Sequence, residues 1–126
     1  DETPVMNAVE QLIKRYGLSY VSDRAVLLFD IAEFSLFTPF EQASQLNSLS
    51  YSFNSAYNKL LSKGIEIHFS RTTTGDGYYV WNRELGPAAN RDLFIFMLLV
   101  VADNAVARAA SHGNTVPVIR TAFHIV

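Results

Sequence analysis

Two aspartates stand out because each sits at a turn beside an apolar strand. Asp30 follows the run Ala25-Val26-Leu27-Leu28-Phe29, and Asp76 lies in Thr72-Thr73-Thr74-Gly75-Asp76-Gly77-Tyr78. A carboxylate at the end of a buried strand is costly to desolvate and needs a compensating partner. Two carboxylates from adjacent strands repel each other unless a cation sits between them. Hard divalent cations such as Mg²⁺ take oxygen ligands, usually one or two protein carboxylates plus substrate phosphates. The pair therefore points to metal-assisted phosphoryl chemistry on a nucleotide. A third residue, Arg120, interrupts an apolar strand, with Val118 and Ile119 before it and Phe123 and Ile125 after it. An arginine so placed must reach solvent or find an anion. Plainer readings stand beside these: Asp30 as a turn cap, Gly75-Asp76-Gly77 as an ordinary hairpin turn, Arg120 as an edge residue facing water. The coincidence of the three favours the chemical reading.

The elements that must hold these residues can be traced along the chain. Residues 3–16 read as a short amphipathic helix, with Val5, Ala8, Val9, Leu12 and Ile13 on one side. Thr3 would cap it, Pro4 would take its first position, and Gly17 would end it. Residues 24–29 form a continuous apolar run, which predicts a buried strand. Thr38-Pro39-Phe40-Glu41 has the pattern of a helix start. That helix should run to about Lys63 and stop at Gly64, with Leu46, Leu49, Phe53, Tyr57 and Leu60 as one core stripe. Residues 65–71 alternate, which predicts a half-buried strand. A turn over 74–77 and a partner strand over 78–81 follow. Residues 90–112 read as the next helix, closed by Gly113-Asn114, and 116–126 as the last strand. The order β-α-β-β-α-β predicts an α+β fold of the ferredoxin-like kind: an antiparallel sheet with its helices on one face.

Three segments in this order resemble the catalytic domain of class III nucleotidyl cyclases. Phe29-Asp30-Ile31-Ala32-Glu33-Phe34-Ser35 is similar to their "F-x-D-I-x-G-F-[ST]" segment, one residue tighter before the Asp. Thr74-Gly75-Asp76-Gly77-Tyr78 is similar to their second metal-binding hairpin, and Ile119-Arg120-Thr121-Ala122-Phe123-His124-Ile125 to their later "[LIV]-R-x-[GA]-[IF]-H" strand. The resemblance covers residues 24–126 and implies a palm fold, with 21–126 as the catalytic domain, its C-terminal part missing; residues 1–20 are expected to be a linker helix or a helix packed on this domain's own surface. It implies conversion of ATP or GTP to a 3′,5′-cyclic monophosphate and pyrophosphate, by a two-metal mechanism, in signal transduction. Asp30 and Asp76 would bind two Mg²⁺ or Mn²⁺ ions, and the Ile31 carbonyl would be a further ligand. The turn with Phe34 and Ser35 would present N–H groups to phosphates, and Arg120 would touch the triphosphate. Thr72 falls where adenylate-forming members carry Lys and guanylate-forming members carry Glu, so it can contact a purine without choosing strongly between purines. Glu33 departs from the family, which often has Gly there.

The resemblance further implies a head-to-tail homodimer, and a linker role for residues 1–20 would join the domain to an upstream sensor domain. The family's other base-reading Asp and its transition-state Asn and Arg would lie beyond Val126, so a chain ending there is expected to fold without turning over. The rival reading is a degenerate cyclase-like domain that binds nucleotide or dimerises as a signalling module. A dinucleotide cyclase of the same palm fold is disfavoured, because no Gly-Gly-[Asp/Glu]-Glu-Phe segment occurs.

The 126 residues amount to one domain or most of one, 49% hydrophobic and 17% charged, with a formal charge of −2. That charge provides no basic field for nucleic acid. Cysteine is absent, which excludes disulfides and thiolate metal sites and fits a reducing compartment; the expected location is cytoplasmic. The longest apolar run, residues 93–102, is too short to cross a bilayer, which takes about 20 residues; it predicts a buried helix and no membrane span. His68, His112 and His124 lack zinc-ligand spacing. Neither a nucleophile elbow nor a Gly-x-x-x-x-Gly-Lys phosphate loop occurs.

Overall fold

The computed structural model of the chain describes residues 24–125. The helix expected over residues 3–16 and the boundary at residue 20 lie outside them. Strand β1 (Ala25–Ile31) leads through a short 3₁₀ turn (Phe34–Leu36) into helix α1 (Pro39–Ser62). The hairpin of β2 (Phe69–Thr73) and β3 (Gly77–Asn82) follows, then helix α2 (Pro87–Ala110) and strand β4 (Ile119–Ile125). The sheet order is β2-β3-β1-β4 with every neighbouring pair antiparallel, the split βαβ arrangement read from the sequence.

Local chemistry fixes the first helix at both ends. Thr38 Oγ1 accepts from the Glu41 N–H (3.2 Å), while Glu41 Oε1 accepts from the Thr38 N–H (3.0 Å), a reciprocal capping box with Pro39 in the first turn. At the far end Gly64 takes φ 77°. The N–H of Gly64 donates to the Leu61 carbonyl and that of Ile65 to the Leu60 carbonyl, so a Schellman motif stops the helix where the sequence places its end. The second helix begins three residues before the expected start, because Pro87 behind Gly86 takes its first position. It ends at Ala110, two residues before His112, where Ser111 turns to extended backbone.

Strand limits differ from expectation where pairing decides them. β1 runs on to Ile31, because Ile31 pairs with Ile119 and its N–H donates to the Asp76 carbonyl (2.8 Å). Asp30 is thus inside the strand. Residues 65–68 point alternately into the core as the pattern requires, and Ile67 is buried, but they form no strand. Their potential partner β3 ends at Asn82, opposite Phe69, and beyond it only the Arg83 N–H reaches the His68 carbonyl. β4 starts at Ile119 rather than Val116, since Pro117 offers no N–H for a ladder.

The core lies between the sheet and both helices. Leu27, Phe29 and Ile31 of β1 meet Leu49, Phe53, Ala56 and Leu60 of α1 and Leu93, Phe96 and Val100 of α2. Rings link the layers: Phe53 lies 4.9 Å from Phe29 and 5.8 Å from Phe96, and Phe69 lies 4.9 Å from Phe96. The two helices are tied by Asp103, whose carboxylate accepts from Ser52 Oγ (2.6 Å) and Ser55 Oγ (3.0 Å). α2 is long and apolar enough to span a membrane by length and composition, at mean hydropathy 1.9, yet one side of it is packed into this core. The expectation that the run 93–102 is wholly buried needs correcting, because Phe94, Leu98 and Val101 on its other side are exposed.

Candidate functional site

Strand alternation divides β1 cleanly. Ala25, Leu27, Phe29 and Ile31 face the helices, which leaves Val26, Leu28 and Asp30 on the opposite face of the sheet. Register extends that face sideways: Asp30 stands opposite Gly77 on β3 and opposite Arg120 on β4. The next row along is Thr72, Tyr79, Leu28 and Ala122. Thr72 therefore shares a face with Asp30, one row away from it.

Gly77 is what lets the hairpin come close. A Cβ added there would lie 1.9 Å from the Phe29 carbonyl oxygen, so only glycine fits. The turn itself is set by Gly75 at φ 89°, by the Thr74 N–H donating to the Gly77 carbonyl (3.0 Å), and by Thr74 Oγ1 bonded to Asp76 Oδ1 (3.2 Å). Asp76 is thereby brought against the end of β1, its carbonyl accepting from the Ile31 N–H (2.8 Å), one residue from Asp30.

Burial, followed by the neighbouring Asp76 carboxyl, pushes the Asp30 carboxyl above the ordinary aspartate range; Arg120 pulls it back only in part. The Arg120 guanidinium donates from Nη2 to Asp30 Oδ2 at 2.5 Å. Sequence reasoning offered Arg120 an anion of the substrate or water, and missed this partner. The pairing depends on β4 lying beside β1, 90 residues apart in the chain, which no local pattern signals.

Beyond Ile31 the chain turns at Glu33, which has the left-handed conformation φ 57°, ψ 29°. It is the only non-glycine residue with positive φ among the described residues. This is the position where a glycine would be unstrained. Phe34 packs its ring against the core, and its carbonyl accepts from Gln42 Nε2 (3.0 Å). Ser35 is exposed. The backbone N–H groups of Glu33, Phe34 and Ser35 have no backbone acceptor among the described residues, as expected for the opening of a helical turn.

The donor set suits a hard divalent cation. Asp30, half-buried, and Asp76, exposed, stand beside each other, and Arg120 offsets their charge only in part, so a divalent ion would neutralise the remainder. No group of three or more His, Asp or Glu side chains able to hold a metal is found among the described residues. An ion held by the two aspartates would therefore need oxygens from phosphates or water to complete its shell. Two cavities lie on the helix side of the sheet: one of about 420 Å³ between α2 and β4, lined by Phe94, Phe123 and Ile125, and one of about 340 Å³ beside His68, Arg71 and Arg83.

No family model and no curated protein matches the chain. Among solved structures it is similar to the guanylate cyclase domain of RhGC from Catenaria anguillulae, which was solved in complex with GTP. The TM-score is 0.52 at 16% identity, over 84% of this chain and 57% of that one. The chain has the α+β palm fold of a nucleotidyl cyclase domain. It spans little more than half the length of its neighbour.

Proposed function

We propose that the chain binds a purine nucleoside triphosphate together with Mg²⁺ or Mn²⁺ at Asp30, Asp76 and Arg120, and that it serves as a class III nucleotidyl cyclase catalytic domain. The observation that carries this reading is the meeting of Asp30 and Asp76 at one end of β1, on the sheet face turned away from the helices, with Arg120 opposite Asp30. The reaction joins the ribose O3′ to the α-phosphorus and breaks the bond from that phosphorus to the β-phosphate oxygen. The 3′-hydroxyl loses its proton, and pyrophosphate departs.

Asp30 and Asp76, with the Ile31 carbonyl, are the residues that would hold the ions. When bound, divalent ions supply Lewis-acid activation and charge neutralisation for such a displacement. Arg120 contributes a fixed positive charge for the phosphates. The turn with Phe34 and Ser35 contributes N–H donors, a role that backbone at helical starts commonly serves. Thr72 offers the base one hydroxyl and no charge, so discrimination between ATP and GTP by this subunit is weak. A homodimer, an upstream sensor domain and a cytoplasmic location belong to the same proposal.

A non-catalytic nucleotide-binding module is the second reading. Glu33, an acid in the turn that would meet the phosphates, favours it. Incubation of the full-length protein with Mn²⁺ and ATP or GTP, followed by assay for cyclic nucleotide, separates the two. Product that disappears in Asp30→Asn and Asp76→Asn supports catalysis. Tight nucleotide binding with no product supports the module. Failure to bind either triphosphate overturns both.

A further inference from the structure

We propose that Arg120 is a placeholder cation: without nucleotide its guanidinium occupies the Asp30 carboxylate and competes with a divalent ion, and it is released when a triphosphate offers it another anion. This rests on the metal and triphosphate reading above and adds a regulation of that site. Three observations carry it. Arg120 and Asp30 are directly cross-strand, and the guanidinium contacts Oδ2, an atom an ion would also use. The Arg120 side chain is 68% exposed against 22% for Asp30, so the acid is fixed in the sheet and the base is free to swing away. Asp76 stands beside Asp30 at the end of β1, where its carbonyl accepts from the Ile31 N–H (2.8 Å), so a cation at Asp30 has a second acid next to it.

The consequence is a coupling with a definite sign. An ion arriving alone must displace the guanidinium. An exposed pair is weak, so this costs about five-fold in ion affinity. A triphosphate that draws Arg120 onto its own oxygens removes that competition. Ion and triphosphate therefore bind with positive cooperativity, and the coupling is the same read from either ligand. Entry of an ion without substrate is held back, while entry with substrate is not.

The test measures Mn²⁺ binding from the spectrum of the free ion, and separately the affinity of a nonhydrolysable purine triphosphate at saturating Mn²⁺. Arg120→Gln is expected to bind Mn²⁺ alone about five-fold tighter and the triphosphate about ten-fold weaker. Arg120→Lys, which keeps the charge, is expected to stay near the wild type with Mn²⁺ alone. An Arg120→Gln protein that binds Mn²⁺ alone no tighter than the wild type overturns the proposal. The unsubstituted protein offers a second measurement: the Arg120 side-chain NMR signal should shift when Mg²⁺ is added, and an unmoved signal at saturating Mg²⁺ overturns the proposal as well. Asp30→Asn separates the two levels. If it leaves Mn²⁺ binding unchanged, the metal-site reading fails and the placeholder with it; if it abolishes binding while Arg120→Gln does not tighten it, the placeholder alone fails.

Discussion

A side chain on Gly77 would collide with the carbonyl oxygen of Phe29, 1.9 Å from its Cβ. β1 and β3 thus touch backbone to backbone where the two aspartates meet. Gly77→Ala should cost about 2 kcal/mol or more of folding free energy, because neither backbone can give way without breaking the Asp30–Gly77 register. It should also separate Asp76 from Asp30. Urea denaturation reads the first effect, and loss of Mn²⁺ binding reads the second.

Glu33 holds a left-handed backbone that an L-residue adopts only at a cost. Replacement by glycine relieves that strain. Glu33→Gly is expected to raise the unfolding free energy by about 1 kcal/mol, and a higher urea midpoint at unchanged slope would be its signature. A fall in stability would mean that the Glu33 side chain makes an interaction worth more than the strain.

These two positions mark how far the sequence could be read. Periodicity and caps located both helices, since Thr38, Pro39, Glu41 and Gly64 act on their own neighbours. The strand order also followed from the β-α-β-β-α-β succession. Alternation over residues 65–68 misled, because burial of Ile67 produces the same pattern whether or not a partner strand exists. Asp30 and Asp76 stood out as a pair beside apolar runs, although Asp30 proves to lie inside β1 rather than at the turn after it. The Asp30–Arg120 contact was not, because it depends on the register between strands far apart in sequence.

Asp103 joins the helices through two serine hydroxyls, and one of these, Ser52, is buried. Asp103→Ala leaves both donors without this acceptor and should cost about 2 kcal/mol. Thermal unfolding should show the loss, while nucleotide and metal binding on the other face of the sheet stay as they were. A binding defect equal to the stability defect would argue that the helix layer and the site are not independent.

Asp30 ionises above the ordinary aspartate range, so the folded chain holds this proton more tightly than the unfolded chain does. Its contribution to stability is therefore present at low pH and is lost as pH rises from the ordinary value of about 3.9 through its raised folded value. Asp30→Asn should remove that loss and leave the protein more stable than the wild type at pH 7. A divalent ion competes with the same proton, so Mn²⁺ affinity should begin to fall on acidification at a pH above that expected for an unperturbed aspartate. Stability and ion binding measured over the same pH series check both signs together.

The central claim is that Asp30 and Asp76 jointly hold the ion that brings a purine triphosphate to this sheet. Equilibrium binding of a nonhydrolysable ATP or GTP analogue, with and without Mn²⁺, tests it on the wild type, Asp30→Asn and Asp76→Asn. The expected result is Mn²⁺-dependent binding in the wild type, weakened at least about ten-fold, near 1.4 kcal/mol, by either substitution in a protein that remains folded. Unchanged Mn²⁺-dependent binding in both variants would contradict the account.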